Sequence, residues 1–167
     1  PSLLGGVVLL RGYEPLDVVR LPVPERFCCT VAHPAIMVST REAREVLPRE
    51  IPLRSAVSQW GNVGGLVAGL MSGDVELVGR SMRDVVAEPH RKRFIPGFDS
   101  LRDAVLEAGA LAMNISGAGP SVFALSSSME TAARVGEVMK AHFADRGISS
   151  DIYVSKVSNR GARVLND

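Results

Sequence analysis

A chain of 167 residues, 46% hydrophobic and 22% charged, has the composition of one globular domain, or of one domain with a fragment of another. Its 19 basic and 18 acidic side chains leave a net charge of +1. No overall field therefore points to nucleic acid or an anionic membrane, and a single Trp gives no basic–aromatic surface. The apolar run Leu3–Leu10 is too short to span a bilayer and has no basic flank or cleavage site, which reads as a soluble, cytoplasmic protein.

No Met precedes Pro1, and a strand-like run starts at once, so the sequence reads as cut from a longer one. Leu3–Leu10 is expected as a buried strand, Tyr13-Glu14-Pro15 as a turn, and Asp17–Leu21 as a strand pairing back. Pro22–Pro24 connects to a strand at Phe27–Ala32. Its adjacent Cys28 and Cys29 point to opposite faces, so they read as free thiols of a reducing compartment. Ser39 and Glu42 have capping-box spacing for a short helix that stops before Pro48. Val57–Met71 reads as a longer helix. Its glycines 61, 64, 65 and 69 weaken it unless another element packs closely there. Val75–Val86 is expected as a helix, and Glu88–Gly97 as a proline-bounded loop. Phe98, Leu101, Val105 and Ala108 mark a helical stripe closed by Gly109. A hairpin of Leu111–Ile115 and Val122–Leu125 follows, then an amphipathic helix through Ala132, Val135, Gly136, Met139 and Phe143. Strands at Ile148–Val154 and Gly161–Leu165 end the chain.

From Phe27 onward this order is that of an α+β, ferredoxin-like βαββαβ domain with extra helices after the first strand. Its sheet should be mostly antiparallel, with helices on one face. Residues 1–21 do not fit inside that unit and read as remnant strands of a preceding domain. Residues 22–167 form the domain itself. A free-standing ferredoxin-like interaction module, with Leu3–Leu10 as a partner-binding edge, is the alternative.

Three places carry candidate chemistry. The hairpin loop Ser116-Gly117-Ala118-Gly119-Pro120-Ser121 is either a plain turn or an anion cradle made of free amides. Thr40 and Arg44 lie one turn apart on the capped helix. They make either a clamp for an anionic group or a solvated face beside an Arg41–Glu45 pair. Arg91, Lys92 and Arg93 stand in a loop stiffened by Pro89 and Pro96, as a carboxylate or phosphate site or as a basic surface loop. His33, His90 and His142 have no partner at a recognisable catalytic spacing, and no Cys/His spacing suggests zinc. A Walker-type loop is absent.

Ser116-Gly117-Ala118-Gly119-Pro120-Ser121 resembles the third signature motif of the GHMP kinases, which act on small molecules such as galactose, homoserine and mevalonate. Ser39-Thr40-Arg41-Glu42-Ala43-Arg44 with Val46-Leu47-Pro48, and Glu88-Pro89-His90-Arg91 leading to Ile95-Pro96-Gly97, resemble segments of the homoserine kinase family within them. So do Gly5-Gly6 in Pro1–Leu10 and Gly161-Ala162-Arg163-Val164. The resemblance covers essentially the whole chain. It implies ATP-dependent phosphorylation of the homoserine side-chain hydroxyl on the route to threonine. It also implies an amino-acid site of Thr40, Arg44, Arg91 and Gly117, a phosphate-side loop at Ser116–Pro120, and a homodimer. The family's P-x-x-x-G-L-G-S-S-type nucleotide loop, its magnesium-holding acidic and hydroxyl groups, and the Asp beside the substrate hydroxyl have no counterpart here. The resemblance is thus to the C-terminal part. The chain is expected to hold no catalytic or metal-binding residue of its own, to bind ATP and Mg2+ only weakly, and to be inactive alone. Another GHMP kinase is the neighbouring alternative.

Overall fold

The computed structural model describes residues 3–164. The expected features at Pro1, Ser2 and Leu165 lie outside them. Two sheets are present. β1 (Val7–Tyr13) and β2 (Leu16–Leu21) form a separate antiparallel hairpin. The main sheet has the order β4-β5-β3-β6, with β3 (Cys28–Pro34), β4 (Ala112–Ile115), β5 (Val122–Ser126) and β6 (Ser150–Lys156) all antiparallel to their neighbours. This is the split-βαβ arrangement expected from the sequence, with α1 (Thr40–Glu45), α2 (Leu53–Ser72), α3 (Val75–Ser81), α4 (Glu88–Arg91) and α5 (Phe98–Glu107) inserted between β3 and β4.

β3 alternates strictly. Cys28, Thr30, Ala32 and Pro34 are buried on one face, while Cys29, Val31 and His33 point to the other. The inner face meets α5 (Phe98–Glu107) and α6 (Met129–Ala144). Phe98, Leu101, Val105, Val135, Met139 and Phe143 close the core there with Ala32, Met113, Val122 and Ala124. The spacing of Ala132, Val135, Met139 and Phe143 puts one helical stripe inward, and Ser128 Oγ caps α6 by accepting from the Thr131 amide at 3.1 Å. Thr30 Oγ1, fully buried, donates to the Ala132 carbonyl at 2.7 Å and pins β3 to the helix.

The one-face layering holds for α5 and α6, and two of the other inserted helices depart from it. α2 (Leu53–Ser72) and α3 (Val75–Ser81) lean on the opposite face through Leu70 and Val78, which meet Phe27 and Leu125. Gly69 explains how they come so close. A Cβ there would lie 2.9 Å from the backbone nitrogen and Cγ2 of Val78. Gly69→Ala is therefore expected to lower stability by about 1–3 kcal/mol in a denaturant titration, against helix propensity. At Gly61 nothing lies within 4 Å, so Gly61→Ala should follow propensity and stabilise by about 0.5–1 kcal/mol.

Four expectations are corrected. The first strand begins at Val7 rather than Leu3, because Leu3 and Gly6 bond to the far end of the chain instead. Gly6 N–H donates to Ser158 O at 2.7 Å, and Ala162 N–H donates to Leu3 O at 3.2 Å. No strand forms at residues 161–164, although that segment does meet the first residues as this pairing shows. The helix expected over Val75–Val86 stops at Ser81. The proline-bounded loop holds a helical turn, α4 (Glu88–Arg91), and a 3-10 turn at Lys92–Phe94. One residue accounts for the last change. Asp84 accepts hydrogen bonds from the amides of Val86 and Ala87 at 2.8 Å and of Glu88 at 3.2 Å, which shapes the turn that leads into α4.

Candidate active site

The β4–β5 hairpin delivers the glycine loop at the end of the sheet. Ser116 N–H donates to Ser121 O at 2.8 Å, and Gly119 N–H donates to Ser116 O at 3.0 Å. Those two amides close the turn. The amides of Gly117 and Ala118 have no partner among the described residues, so the cradle has two donors rather than four. Gly117 holds φ +61°, and nothing lies within 4 Å of where its Cβ would be. A side chain there would be strained and would stand in the approach to those donors.

Arg91 joins three elements. Its Nε donates to Ala43 O at 3.1 Å, and its Nη1 donates to Gly117 O at 3.0 Å. α1 (Thr40–Glu45), α4 and the glycine loop are therefore registered by one guanidinium. Two of its donors are held by carbonyls, and Nη2 remains for a ligand. Lys92 and Arg93 turn elsewhere. Lys92 Nζ pairs with Asp99 at 2.7 Å, and Arg93 lies over the Phe94 ring at 5.0 Å. Only one of the three basic residues thus reaches the loop.

Ser39 caps α1, with its Oγ accepting from the Glu42 amide at 3.4 Å. Ala43 is fully buried, which fixes α1 against the body of the domain. Thr40 and Arg44 stand on its exposed face, and neither side chain has a hydrogen-bond partner among the described residues. Arg41 and Glu45 form their ion pair at 2.7 Å, both largely exposed, so the pair contributes little. The structure thus brings Arg91 and Gly117 into contact. Thr40 and Arg44 share the helix whose Ala43 carbonyl receives Arg91, but they do not line the cleft beside the loop.

That cleft, about 190 Å3, is lined by Asp84, Glu88, Arg91, Asn114, Ile115, Gly117 and Phe123. Its two carboxylates are already satisfied. Asp84 takes the three amides, and Glu88, 7% exposed, forms an ion pair with Arg102. The Arg102 guanidinium also lies over the Phe98 ring at 4.7 Å. Arg91 and the two loop amides are left as the groups that can meet an anion.

His33 has a partner that the sequence concealed. Its Nδ1 and Ser121 Oγ share a hydrogen bond at 2.8 Å across 88 residues, because the pairing of Ala32 with Val122 sets them side by side. Asp84 carried a legible signal, an Asp just ahead of a Glu-Pro helix start. Glu88 and Arg102, 14 residues apart with a break between their helices, carried none. Burial and the neighbouring Cys28 push the Cys29 thiol up, which disfavours a reactive-thiol role.

Residues 66–145 match the family model described as "GHMP kinases C terminal". Residues 66–145 of this chain thus carry a GHMP kinase C-terminal domain. The homoserine kinase of Chlorobium phaeobacteroides (strain BS1) is 51% identical over 167 residues, 99% of this chain and 52% of that protein. A solved structure of homoserine kinase from Cytophaga hutchinsonii matches with a TM-score of 0.96 at 54% identity, covering 99% of this chain and 52% of the other. The phosphomevalonate kinase of Streptococcus pneumoniae shares the fold alone, with a TM-score of 0.63 at 19% identity over 85% of this chain and 43% of the other. The chain spans about half the length of the curated relatives it matches.

Proposed function

We propose that this chain is the substrate-side half of a homoserine kinase. Its residues 22–167 form the kinase's C-terminal domain, and residues 1–21 are strands belonging to the domain before it. The observation that carries the reading is the Arg91 guanidinium bridging Ala43 O and Gly117 O, because it joins two of the segments that resemble the homoserine kinases, 39–48 and 88–97, to the loop that resembles the third GHMP motif.

The reaction transfers the γ-phosphoryl group of ATP to the side-chain hydroxyl of homoserine. An O–P bond forms, the bond from phosphorus to the bridging β-phosphate oxygen breaks to release ADP, and the hydroxyl proton passes to water. Such transfer depends on positioning and charge stabilisation more than on covalent chemistry by the protein. Arg91, through Nη2, holds the carboxylate of the amino acid in the cleft, and Gly117 leaves room for it. Thr40 and Arg44, exposed on α1 outside the cleft, meet the part of the amino acid that projects from it. The loop Ser116–Pro120 forms the phosphate-side wall, where the Gly117 and Ala118 amides suit an anionic oxygen. Among the described residues, no three His, Cys, Asp or Glu side chains converge to hold a metal ion. In this reading the magnesium ion accompanying ATP takes its ligands from the other half of the enzyme, as ATP takes most of its contacts. The assembly is a cytoplasmic pair of copies. No described helix is long and apolar enough to cross a membrane.

The test compares the purified chain with the same chain joined to the nucleotide-binding half of a homoserine kinase. The joined protein is expected to phosphorylate homoserine and not mevalonate, and the chain alone is expected to phosphorylate neither. Turnover by the chain alone would refute the half-site reading. A preference for mevalonate would refute the substrate.

A further inference from the structure

The ladder between β3 and β5 ends at Ala32 and Val122, while on the other side β3 pairs with β6 as far as Pro34 and Ser150. β4 also leaves β5 at Val122, opposite Ile115. The chain between the glycine loop and Val122 is therefore held by something other than the sheet. Pro120 is buried and has no N–H to give. Ser121 is the first residue after the loop that offers both a carbonyl and a hydroxyl, and both are used. Its carbonyl accepts from Ser116 N–H at 2.8 Å, and its hydroxyl shares the 2.8 Å hydrogen bond with His33 Nδ1. The His33–Ser121 contact acts as one more rung, made by side chains where the backbone rungs stop. Among the described residues Ser121 is the ring's one hydrogen-bond partner, although Asp151 lies opposite on β6.

We infer that His33 is a positioning residue for the phosphate-side loop, acting through Ser121. This rests on the reading of Ser116–Pro120 as that loop. The loop then has two tethers. Arg91 Nη1 holds its first leg at Gly117 O, and His33 holds its second leg at Ser121. The Gly117 and Ala118 amides, which have no partner among the described residues, lie between the two in the chain. Donors aimed at a developing charge act through their position, so slack in one leg costs rate. The tether does not depend on the ring's charge. A neutral ring accepts from the Ser121 hydroxyl at Nδ1, and a charged ring donates to it. His33 is itself exposed, so shortening it opens no core.

Two measurements test the tether. In the chain alone, amide hydrogen exchange reads it without any activity. His33→Ala should speed exchange of the Ser116 amide about 3–10-fold, the range that one exposed neutral hydrogen bond supports, because Ser121 O is its acceptor. The Ala35 amide, bonded to Ser149 O at 2.8 Å on the β6 side, should keep its rate. In the chain joined to the nucleotide-binding half, His33→Ala should lower kcat about 3–10-fold. KM for homoserine should change less than about two-fold, since Arg91 keeps its hold. Ser121→Ala should cost as much, and the double variant no more than either.

His33→Asn puts an amide near the place of Nδ1 and should restore most of both readouts. His33→Gln, which reaches the place of Nε2, should not. Rescue by Gln and not by Asn would put the ring on the ligand itself and overturn the positioning role. Equal loss of protection at Ser116 and Ala35 would overturn it too, as would an unchanged kcat or losses that multiply in the double variant. If the unaltered joined protein fails to phosphorylate homoserine, the homoserine reading falls, and the exchange rates alone decide whether His33 holds the loop.

Discussion

An enzyme carrying this domain with Arg91 replaced by Ala is expected to lose about 10²–10³-fold in kcat/KM for homoserine. The loss has two parts. The carboxylate loses a guanidinium donor, which raises KM. The carbonyls of Ala43 and Gly117 also lose their shared partner, so α1 and the glycine loop are no longer held in register. Small misplacements of a bound reactant cost rate as well as affinity, so kcat should fall too. Arg91→Lys separates the parts. An ammonium keeps the charge but lacks the planar fork that spans two carbonyls, so Lys should restore part of KM and little of kcat. Steady-state kinetics of the three proteins would check this. An unchanged kcat/KM in Arg91→Ala would remove Arg91 from the site.

Glu88→Ala should lower the unfolding free energy of the chain by about 3 kcal/mol, read from a denaturant titration. The Glu88 carboxylate is almost wholly buried, and its removal strands the Arg102 guanidinium against Phe98. Losing one member of a buried pair costs more than losing both, so Glu88→Met with Arg102→Met should recover most of the loss. The residual exposure of Arg102 keeps the expected value at the lower end of the usual range. A single variant within about 1 kcal/mol of the native chain would show that the pair is solvated.

The fold was readable where one element signals its own limits. Ser39 with Glu42, the stripe through α6, and the glycine-broken hairpin each placed an element to within a few residues. Reading failed where a side chain from one segment captured the backbone of the next. Asp84 gathered the amides that lead into α4, and no periodicity announces that. The site behaved in the same way. Gly117 and Arg91 were visible by residue type, but the bonds between them span 26 residues and follow from tertiary packing. The family resemblance implied four residues at one site; the structure puts Arg91 and Gly117 in contact and stands Thr40 and Arg44 on the exposed face of α1. Helix geometry explains the contact that does form. Ala43 lies in the last turn of a six-residue helix, where carbonyls lack an intrahelical donor, so its oxygen is free to accept from Arg91.

The arrangement of the main sheet bears on how the domain forms. β3, at its centre, finds both partners far along the chain. Ala32 pairs with Val122, and Pro34 pairs with Ser150. Only β4 and β5 are neighbours in sequence, with Ile115 facing Val122 across the glycine loop. Closing a short loop is entropically cheap and fast, while the two long-range pairings must wait for it. The segment proposed to meet phosphate is thus also the turn around which the sheet can first assemble. Substitutions chosen there to alter ligand contact should slow refolding more than they speed unfolding.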